Sequence, residues 1–177
     1  MNSIHQNQPE DTHEDLRGLD AVAKIQEIVG KSPNCFFSTM APNGTTDTRP
    51  MNVRQVDPEG NLWFLSSCDS HKNEEIKELP VVELYFQGST HSDFMHLKGR
   101  ATITKDRNKI EELWEPAIRT WFTEGKDDPR ITVIQVEPVE GYYWDTKHGN
   151  AIAGIKIMIG AAIGKTLDDS VEGTLKV

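Results

Sequence analysis

A series of short β-rich runs, separated by turn sequences, constrains the fold of this chain most strongly. After Pro33 the runs lie at residues 35–40, 51–56, 62–66, 81–86 and 94–104. The sequence APNG at 41–44 separates the first two runs, and DPEG at 57–60 separates the next pair. Gly, Pro, Asn and Asp adopt the dihedral angles that tight turns need. The spacing therefore predicts hairpins in an antiparallel meander.

Two segments have helical spacing instead of alternation. Apolar residues recur every three or four positions over residues 16–29, which predicts an amphipathic helix that ends at Gly30. A second helical stretch covers residues 106–121, and Pro116 is expected to start a new turn within it.

The last third of the chain adds two predicted strands, at residues 131–136 and 141–144, separated by the sequence EPVE. The apolar segment after His148 contains glycines and a lysine, and we interpret it as a helix packed on the barrel or on a partner subunit. The order of helix, meander, helix and two strands predicts a mainly β, α+β fold, a barrel with helices packed outside it.

Length and charge limit the classes of protein that the sequence fits. A chain of 177 residues suits one domain, at 14–177, after a polar tail at 1–13 that is expected to be disordered. The net charge of −9 argues against nucleic acid as a partner, because phosphate backbones bind concentrated basic surfaces. The chain has neither a run of about 20 apolar residues nor the pattern of a signal peptide, so no membrane association and a cytoplasmic location are expected.

Motifs for metal binding or hydrolysis are absent from the sequence. Cys35 and Cys68 lie far apart, and the six histidines form no HExxH pattern, so no metal site is expected. Neither a G-x-S-x-G sequence nor a Walker sequence occurs. Hydrolysis and nucleotide phosphoryl transfer therefore lack support.

The strongest candidate site is the sequence LSSCDSHK at 65–72, where a strand leads directly into a helix that Ser70 can cap. The start of a helix offers unpaired amide groups and a positive dipole, so with the hydroxyls and Lys72 it can hold a phosphate. Arg49 opens the preceding strand in the sequence RPMNVR at 49–54, and in a hairpin Arg49 and Arg54 can reach the same region. The alternative is that Ser70 only caps a helix and the cations only solvate its rim, which composition alone favours.

A family resemblance decides between these interpretations. The sequence RPMNVR at 49–54, followed by LWFLSS at 62–67 and SHK at 70–72, resembles the pyridoxamine 5'-phosphate oxidase superfamily. The sequences WFTEGKDDPR at 121–130 and GKTL at 164–167 are similar to its bacterial general stress protein branch. The resemblance implies that residues 14–177 form an FMN-binding, six-stranded antiparallel split β-barrel with flanking helices. It also implies a homodimer that holds flavin at the subunit interface.

The resemblance implies FMN as the cofactor, with FAD as an alternative. The contact residues that it implies are Arg49, Met51, Asn52, Arg54, Leu65, Ser66, Ser67, His71, Lys72, Trp121 and Trp144. Arg49 and Lys72 are expected at the flavin phosphate, and Trp144 is expected to meet the flavin from the partner chain. Two positions depart from the pattern: His71 stands where the family often has arginine, and Phe94 stands where the oxidases carry a glutamine.

The activity that the resemblance implies is a flavin-dependent oxidoreductase linked to stress, with a small-molecule electron donor and an unassigned substrate. True pyridoxamine phosphate oxidases end in a basic Arg-Leu-x-Pro sequence, which this chain lacks, so vitamin B6 synthesis is not expected. Two alternatives stay open: a non-catalytic flavin-binding or redox-sensing stress protein, and a structural dimer that binds no flavin.

Overall fold

One open sheet and three helices form the regular structure of the computed structural model, which describes residues 13–41, 43–90, 92–146 and 170–177. The helices are α1 (Leu19–Lys31), α2 (His71–Glu78) and α3 (Arg107–Leu113), and 3-10 turns follow at Pro116–Thr120 and Gly125–Asp127. The strands are β1 (Leu16–Arg17), β2 (Asn34–Met40), β3 (Thr46–Asn52), β4 (Gln55–Val56), β5 (Leu62–Ser67), β6 (Val81–Gln87), β7 (Phe94–Thr104), β8 (Ile131–Thr146) and β9 (Ser170–Lys176). No helix in these ranges is long and apolar enough to cross a membrane.

Strand β8 organises the sheet because it pairs with three other strands. Its residues 131–136 pair with β5 and its residues 140–146 pair with β9, while β7 pairs along the opposite edge. The order then continues through β6 and β2 to β3. β5 and β9 pair with different halves of the same edge of β8, so the sheet branches between them. The sheet does not close into a complete barrel. The mainly β, α+β split barrel predicted above is confirmed.

Both predicted hairpins form at their turn sequences. At the turn between β2 and β3, the Gly44 amide donates to the Ala41 carbonyl at 2.9 Å. At the turn between β4 and β5, the Gly60 amide donates to the Asp57 carbonyl at 3.0 Å. Both glycines have φ above 80°, a region that L side chains rarely adopt. The predicted run at 51–56 belongs to two strands, β3 and β4.

The prediction of two late strands was wrong, since β8 is continuous over 16 residues. Pro138 lacks the amide hydrogen that a regular ladder uses. It lies opposite Gly99, next to a register shift between Lys98 and Gly99. Because a bulge tolerates a missing donor, the strand passes through the sequence EPVE without ending.

Strand β9 has no counterpart among the predicted strands. Val171 and Leu175 are its buried apolar residues, and Gly173 lies between them. Gly173 packs so closely on the Glu14 carbonyl that an added side chain would clash with it. Two apolar residues separated by a glycine are too few to predict a strand from sequence. The strand is recognised from its pairing with β8.

The helices differ from their predicted bounds at identifiable residues. Gly30 lies inside α1, which continues to Lys31, and Gly18 at φ 53° separates β1 from α1. The second helical stretch is divided, and its 3-10 turn begins at Pro116 as predicted. The interpreted helix after His148 and nearly all of the predicted tail lie outside the described residues.

Two apolar clusters fill the two faces of β5. Leu62 and Phe64 point into the barrel, where Phe64 meets Phe37 edge to face at 5.3 Å between ring centroids. Trp63 and Leu65 point the other way, onto a second cluster around α3 and the 3-10 turns. Alternation along one strand thus joins the barrel core to the outer helices.

Five charged side chains join α1 to the sheet. Lys24 pairs with Asp145 at 2.8 Å and Lys31 with Asp93 at 2.5 Å, while Glu27 accepts hydrogen bonds from both lysines at 2.7 Å. Oxygens of the three carboxylates lie within 4.8 Å of one another. Burial alone would raise the pKa of Asp93, but the hydrogen bond from Lys31 and those from nearby hydroxyls lower it to about 2.

We expect Asp93→Asn to lower the free energy of unfolding by about 2 kcal/mol at pH 7, the scale of a hydrogen bond to a charged group. Asparagine keeps the shape of the side chain and tolerates the φ of 60° at this position. Folding lowers the pKa of Asp93, so its contribution is complete above about pH 4 and disappears as the pH falls towards 2.

Urea unfolding at several pH values measures this difference, with Glu59→Gln in an exposed turn as the control. A difference between wild type and Asp93→Asn that stays constant from pH 7 to pH 3 would contradict the ion-pair explanation.

Candidate functional site

The turn between β5 and α2 carries a strand end into the start of a helix, as the sequence predicts. β5 ends at Ser67, and Ser70 occupies the N-cap position of α2. The Ser70 hydroxyl makes no capping hydrogen bond and lies 3.3 Å from the Ser66 hydroxyl. The first amide groups of the helix, those of His71 and Lys72, have no acceptor among the described residues.

A buried polar network fastens α2 to the sheet. The Ser66 hydroxyl donates to Asn73 Oδ1 at 3.0 Å, Asn73 Nδ2 donates to the Thr132 hydroxyl at 2.9 Å, and that hydroxyl donates to the Ser66 carbonyl at 3.0 Å. All three residues are buried, and Ser66 and Thr132 are register partners on β5 and β8. Ser66, predicted to lie beside a cofactor, therefore anchors the helix.

Arg49 lies on β3 and points towards α2. It is the register partner of Phe37, so the two side chains share the inner face of the sheet. Its Nη2 lies 3.0 Å from Glu75 Oε2, and its Nη1 donates to the Thr39 hydroxyl, which donates to Glu75 in turn. Burial alone would raise the pKa of Glu75, but the hydrogen bond from Thr39 and the Arg49 guanidinium outweigh it, and the pKa lies below its ordinary value.

Lys72 is a half-buried cation beside Arg49. Its ammonium group has neither a hydrogen bond nor an ion pair within the part of the chain that the structure describes. Burial lowers the pKa of Lys72, and the nearby Arg49 guanidinium lowers it further. A partly desolvated ammonium next to a second cation favours the binding of an anion.

Met51 and Asn52 of β3, and Arg54 between β3 and β4, have other contacts. Met51 packs against the barrel core. Asn52 accepts a hydrogen bond from Arg54 Nη1 at 2.8 Å, and Arg54 Nη2 lies 2.6 Å from Glu115 Oε2. Because Glu115 already pairs with Arg54, this arginine does not add a free cation beside Lys72.

Three predicted residues around the turn have separate surroundings. Leu65 packs on the second apolar cluster, on the face of β5 opposite to Ser66. The Ser67 hydroxyl donates to the Asp69 carboxylate, and His71 is exposed at the first position of α2. Ser67 and His71 thus border the start of the helix, whereas Leu65 lies behind it.

The two tryptophans do not join this group within one chain. The Trp121 side chain is 70% exposed after the first 3-10 turn. Trp144 lies on the outer face of β8, with its ring 4.8 Å from that of Tyr142. Trp144 lies 12 positions along β8 from Thr132, the residue to which α2 is hydrogen-bonded, and this is about 40 Å along the strand. Trp144 therefore lies away from Arg49 and Lys72 of its own chain.

Sequence reasoning missed four residues of the site. Glu75 follows Lys72 by three positions, a spacing that places both on one side of a helix, so the helix prediction could have found it. Thr39 could have been found from the hairpin register. Asn73 and Thr132 lie 59 residues apart in sequence, and only the pairing of β5 with β8 brings them together.

Comparisons with known proteins agree with this architecture. Protein bli-3 of Neurospora crassa is 29% identical over 133 residues, which are 68% of this chain and 64% of that protein. The chain therefore spans less than two thirds of the length of this curated relative. A solved structure of a general stress protein 26 from Jannaschia sp. CCS1 has a TM-score of 0.75 at 19% identity, covering 89% of this chain and 99% of that chain.

A second solved structure has a similar fold. It is a pyridoxamine 5'-phosphate oxidase-related, FMN-binding protein from Nostoc punctiforme PCC 73102. Its TM-score is 0.55 at 16% identity, over 71% of this chain and 80% of that chain. Identities this low establish a common fold only.

Fold and site define an antiparallel split-barrel protein with two neighbouring cations, Arg49 and Lys72, at the start of a helix. The family model described as "Pyridoxamine 5'-phosphate oxidase like" matches residues 20–168, most of the sequence. The chain belongs to the pyridoxamine 5'-phosphate oxidase-like family, as the sequence resemblance predicts.

We expect Thr132→Val to lower the free energy of unfolding by about 1–3 kcal/mol, because valine keeps the shape but leaves Asn73 Nδ2 unpaired in the core and removes the side-chain hydrogen bond to the Ser66 carbonyl. Urea unfolding measures the loss. Thr102→Val, at an exposed position of β7, is the control for the same chemical change. A loss no larger than that of the control would show that the network does not hold α2.

Proposed function

We propose that this protein binds FMN, with the flavin phosphate at the start of α2, and acts as a flavin-dependent oxidoreductase. One observation carries the proposal: Lys72, half-buried and without a partner among the described residues, lies beside Arg49 at a helix start. Two cations and unpaired amide groups suit a phosphate dianion. Membership of the family, and the FMN-binding relative from Nostoc punctiforme, support the choice of flavin over other phosphorylated ligands.

The residues at the pocket fit a flavin phosphate. A guanidinium has five N–H donors, of which Arg49 uses one on Thr39 and one on Glu75, so others are free for an oxygen ligand. The Lys72 ammonium adds a second charge, and the amides of His71 and Lys72 add neutral donors. We keep as proposed contacts for the flavin the other residues that the resemblance implies: Met51, Asn52, Arg54, Leu65, Ser66, Ser67, His71, Trp121 and Trp144.

We also propose a homodimer in which Trp144 of one chain meets the flavin held by Arg49 and Lys72 of the other. The separation of Trp144 from these cations within one chain supports this arrangement. The outer face of the sheet has apolar residues to bury as well: Phe36 is 60% exposed, and Tyr85 is its register partner on β6. An exposed aromatic face of this kind is typical of a protein interface.

Bound FMN would supply hydride or electron transfer, which needs no protein nucleophile. The residues of the chain would then bind the phosphate, orient the ring and exclude water. We propose a small molecule as the electron donor, and FAD stays an alternative cofactor. The free thiols of Cys35 and Cys68 support a cytoplasmic location, where thiols stay reduced.

We expect Arg49→Ala and Lys72→Ala each to weaken FMN binding at least about tenfold, since each removes a charge-assisted hydrogen bond to the phosphate. Flavin fluorescence during titration into flavin-free protein measures the affinity. Riboflavin lacks the phosphate, so its affinity should change little. Lys77→Ala removes a cation from the exposed side of the same helix and is the matched control.

The titration also separates the alternatives. A wild type that binds no FMN would overturn the flavin proposal. If the two variants lost equal affinity for FMN and riboflavin, the phosphate would not bind at the start of α2. Tight binding without reduction by NADH or NADPH would favour a non-catalytic flavin-binding protein.

We expect Arg49→Ala and Trp144→Ala chains to complement each other if each flavin site uses both subunits. Either variant alone should bind FMN weakly. Coexpressed with different tags and mixed at random, they should restore about a quarter of the sites, because half of the dimers are mixed and each mixed dimer has one intact site. Flavin content per dimer, measured by absorbance, gives the result. Absence of restored sites in isolated mixed dimers would place both residues in one chain's site or in none.

A further inference from the structure

Glu75 is a buried acid at a site that is proposed to bind an anion. It lies on α2 within contact of Arg49 and Thr39, and the Asp47 carboxylate also approaches it. A negative charge beside the two cations opposes a phosphate, so its presence requires an explanation. Glu75 is only 4% exposed, so its carboxylate oxygens are buried and do not face a ligand directly.

The geometry around Arg49 suggests what Glu75 does. β3 is the last strand in the sheet order, and an arginine at such an edge is free to adopt many rotamers. Here Thr39 binds one terminal nitrogen of the guanidinium and Glu75 binds the other. The Thr39 hydroxyl also donates to Glu75, so the three side chains form a closed cycle of hydrogen bonds. Both terminal nitrogens are therefore held while each retains a second hydrogen for another acceptor.

We propose that Glu75 is a positioning residue that, together with Thr39, fixes the Arg49 guanidinium in the orientation that binds the flavin phosphate. This inference rests on the proposed FMN site. Glu75 then contacts no cofactor atom and acts only through Arg49. Its contribution is that Arg49 is already ordered before the phosphate arrives.

Two other roles for Glu75 predict different results. If its charge merely competed with the phosphate, its removal would strengthen FMN binding, because the local positive potential would rise. If it merely docked α2 onto β3, its removal would lower stability and change the affinity for FMN and riboflavin alike. Positioning predicts weaker binding of FMN, in the direction opposite to the charge effect, with riboflavin unaffected.

The experiment compares Glu75→Gln with Glu74→Gln, which removes the same charge from an exposed neighbouring position on α2. FMN and riboflavin are titrated into each flavin-free protein, and thermal unfolding checks that each is folded. We expect Glu75→Gln to weaken FMN binding at least fivefold and to leave riboflavin binding within twofold. Glu74→Gln should leave both affinities within twofold.

A double-mutant cycle tests whether Glu75 acts through Arg49. In an Arg49→Ala chain, Glu75→Gln should cause no further loss of FMN affinity, since the group that it orients is gone. Thr39→Val keeps the shape of a β-branched side chain and removes the hydroxyl of the ring. It should weaken FMN binding in the same direction while leaving Glu75 charged.

The outcomes are distinguishable from failure of the proposed function. Wild type that fails to bind FMN would overturn the flavin site and the inference with it. Wild type that binds FMN, with Glu75→Gln binding it equally or more tightly, would overturn the inference alone. The same holds if Glu75→Gln weakens FMN further in the Arg49→Ala background, or weakens riboflavin as much as FMN.

Discussion

The pairing of β8 with β5, β7 and β9 holds the sheet together and positions α2. β8 pairs with β7 along one edge and with both β5 and β9 along the other. Its first residues set Thr132 opposite Ser66, and this register is what allows Asn73 to bind both strands. The position of α2, and with it the position of Lys72, therefore follows from a strand pairing between distant parts of the chain.

Polar groups in the site divide into those that build it and those that are left for a ligand. Ser66, Asn73 and Thr132 satisfy one another in the core, where an unpaired group would be costly. Arg49 is partly satisfied by Glu75 and Thr39, and Lys72 has no partner among the described residues. The phosphate is proposed at the cations and amides whose hydrogen bonds are incomplete.

Local signals predicted much of this site, and long-range pairing limited the rest. The turn sequences located the hairpins, and the sequence at 65–72 located the strand end and helix start that hold Lys72. Ser66 was predicted to lie close to the phosphate, but the sequence did not predict its hydrogen bond to Asn73, because that contact depends on how α2 packs on the sheet. Pro138 was taken as a break because a proline gives no sign that a bulge lies opposite it.

Residue types and their spacing along the chain were enough to predict the alternation of apolar residues, the turns and the helix start, because these depend on neighbours within a few positions. The sequence also contained enough of a family pattern to indicate the split barrel. Which polar groups are paired became known from the folded chain alone: Arg54 pairs with Glu115, Arg49 with Glu75, and Lys72 with none among the described residues. Pairing depends on distances through space between distant segments, and composition or spacing along the chain does not encode those distances.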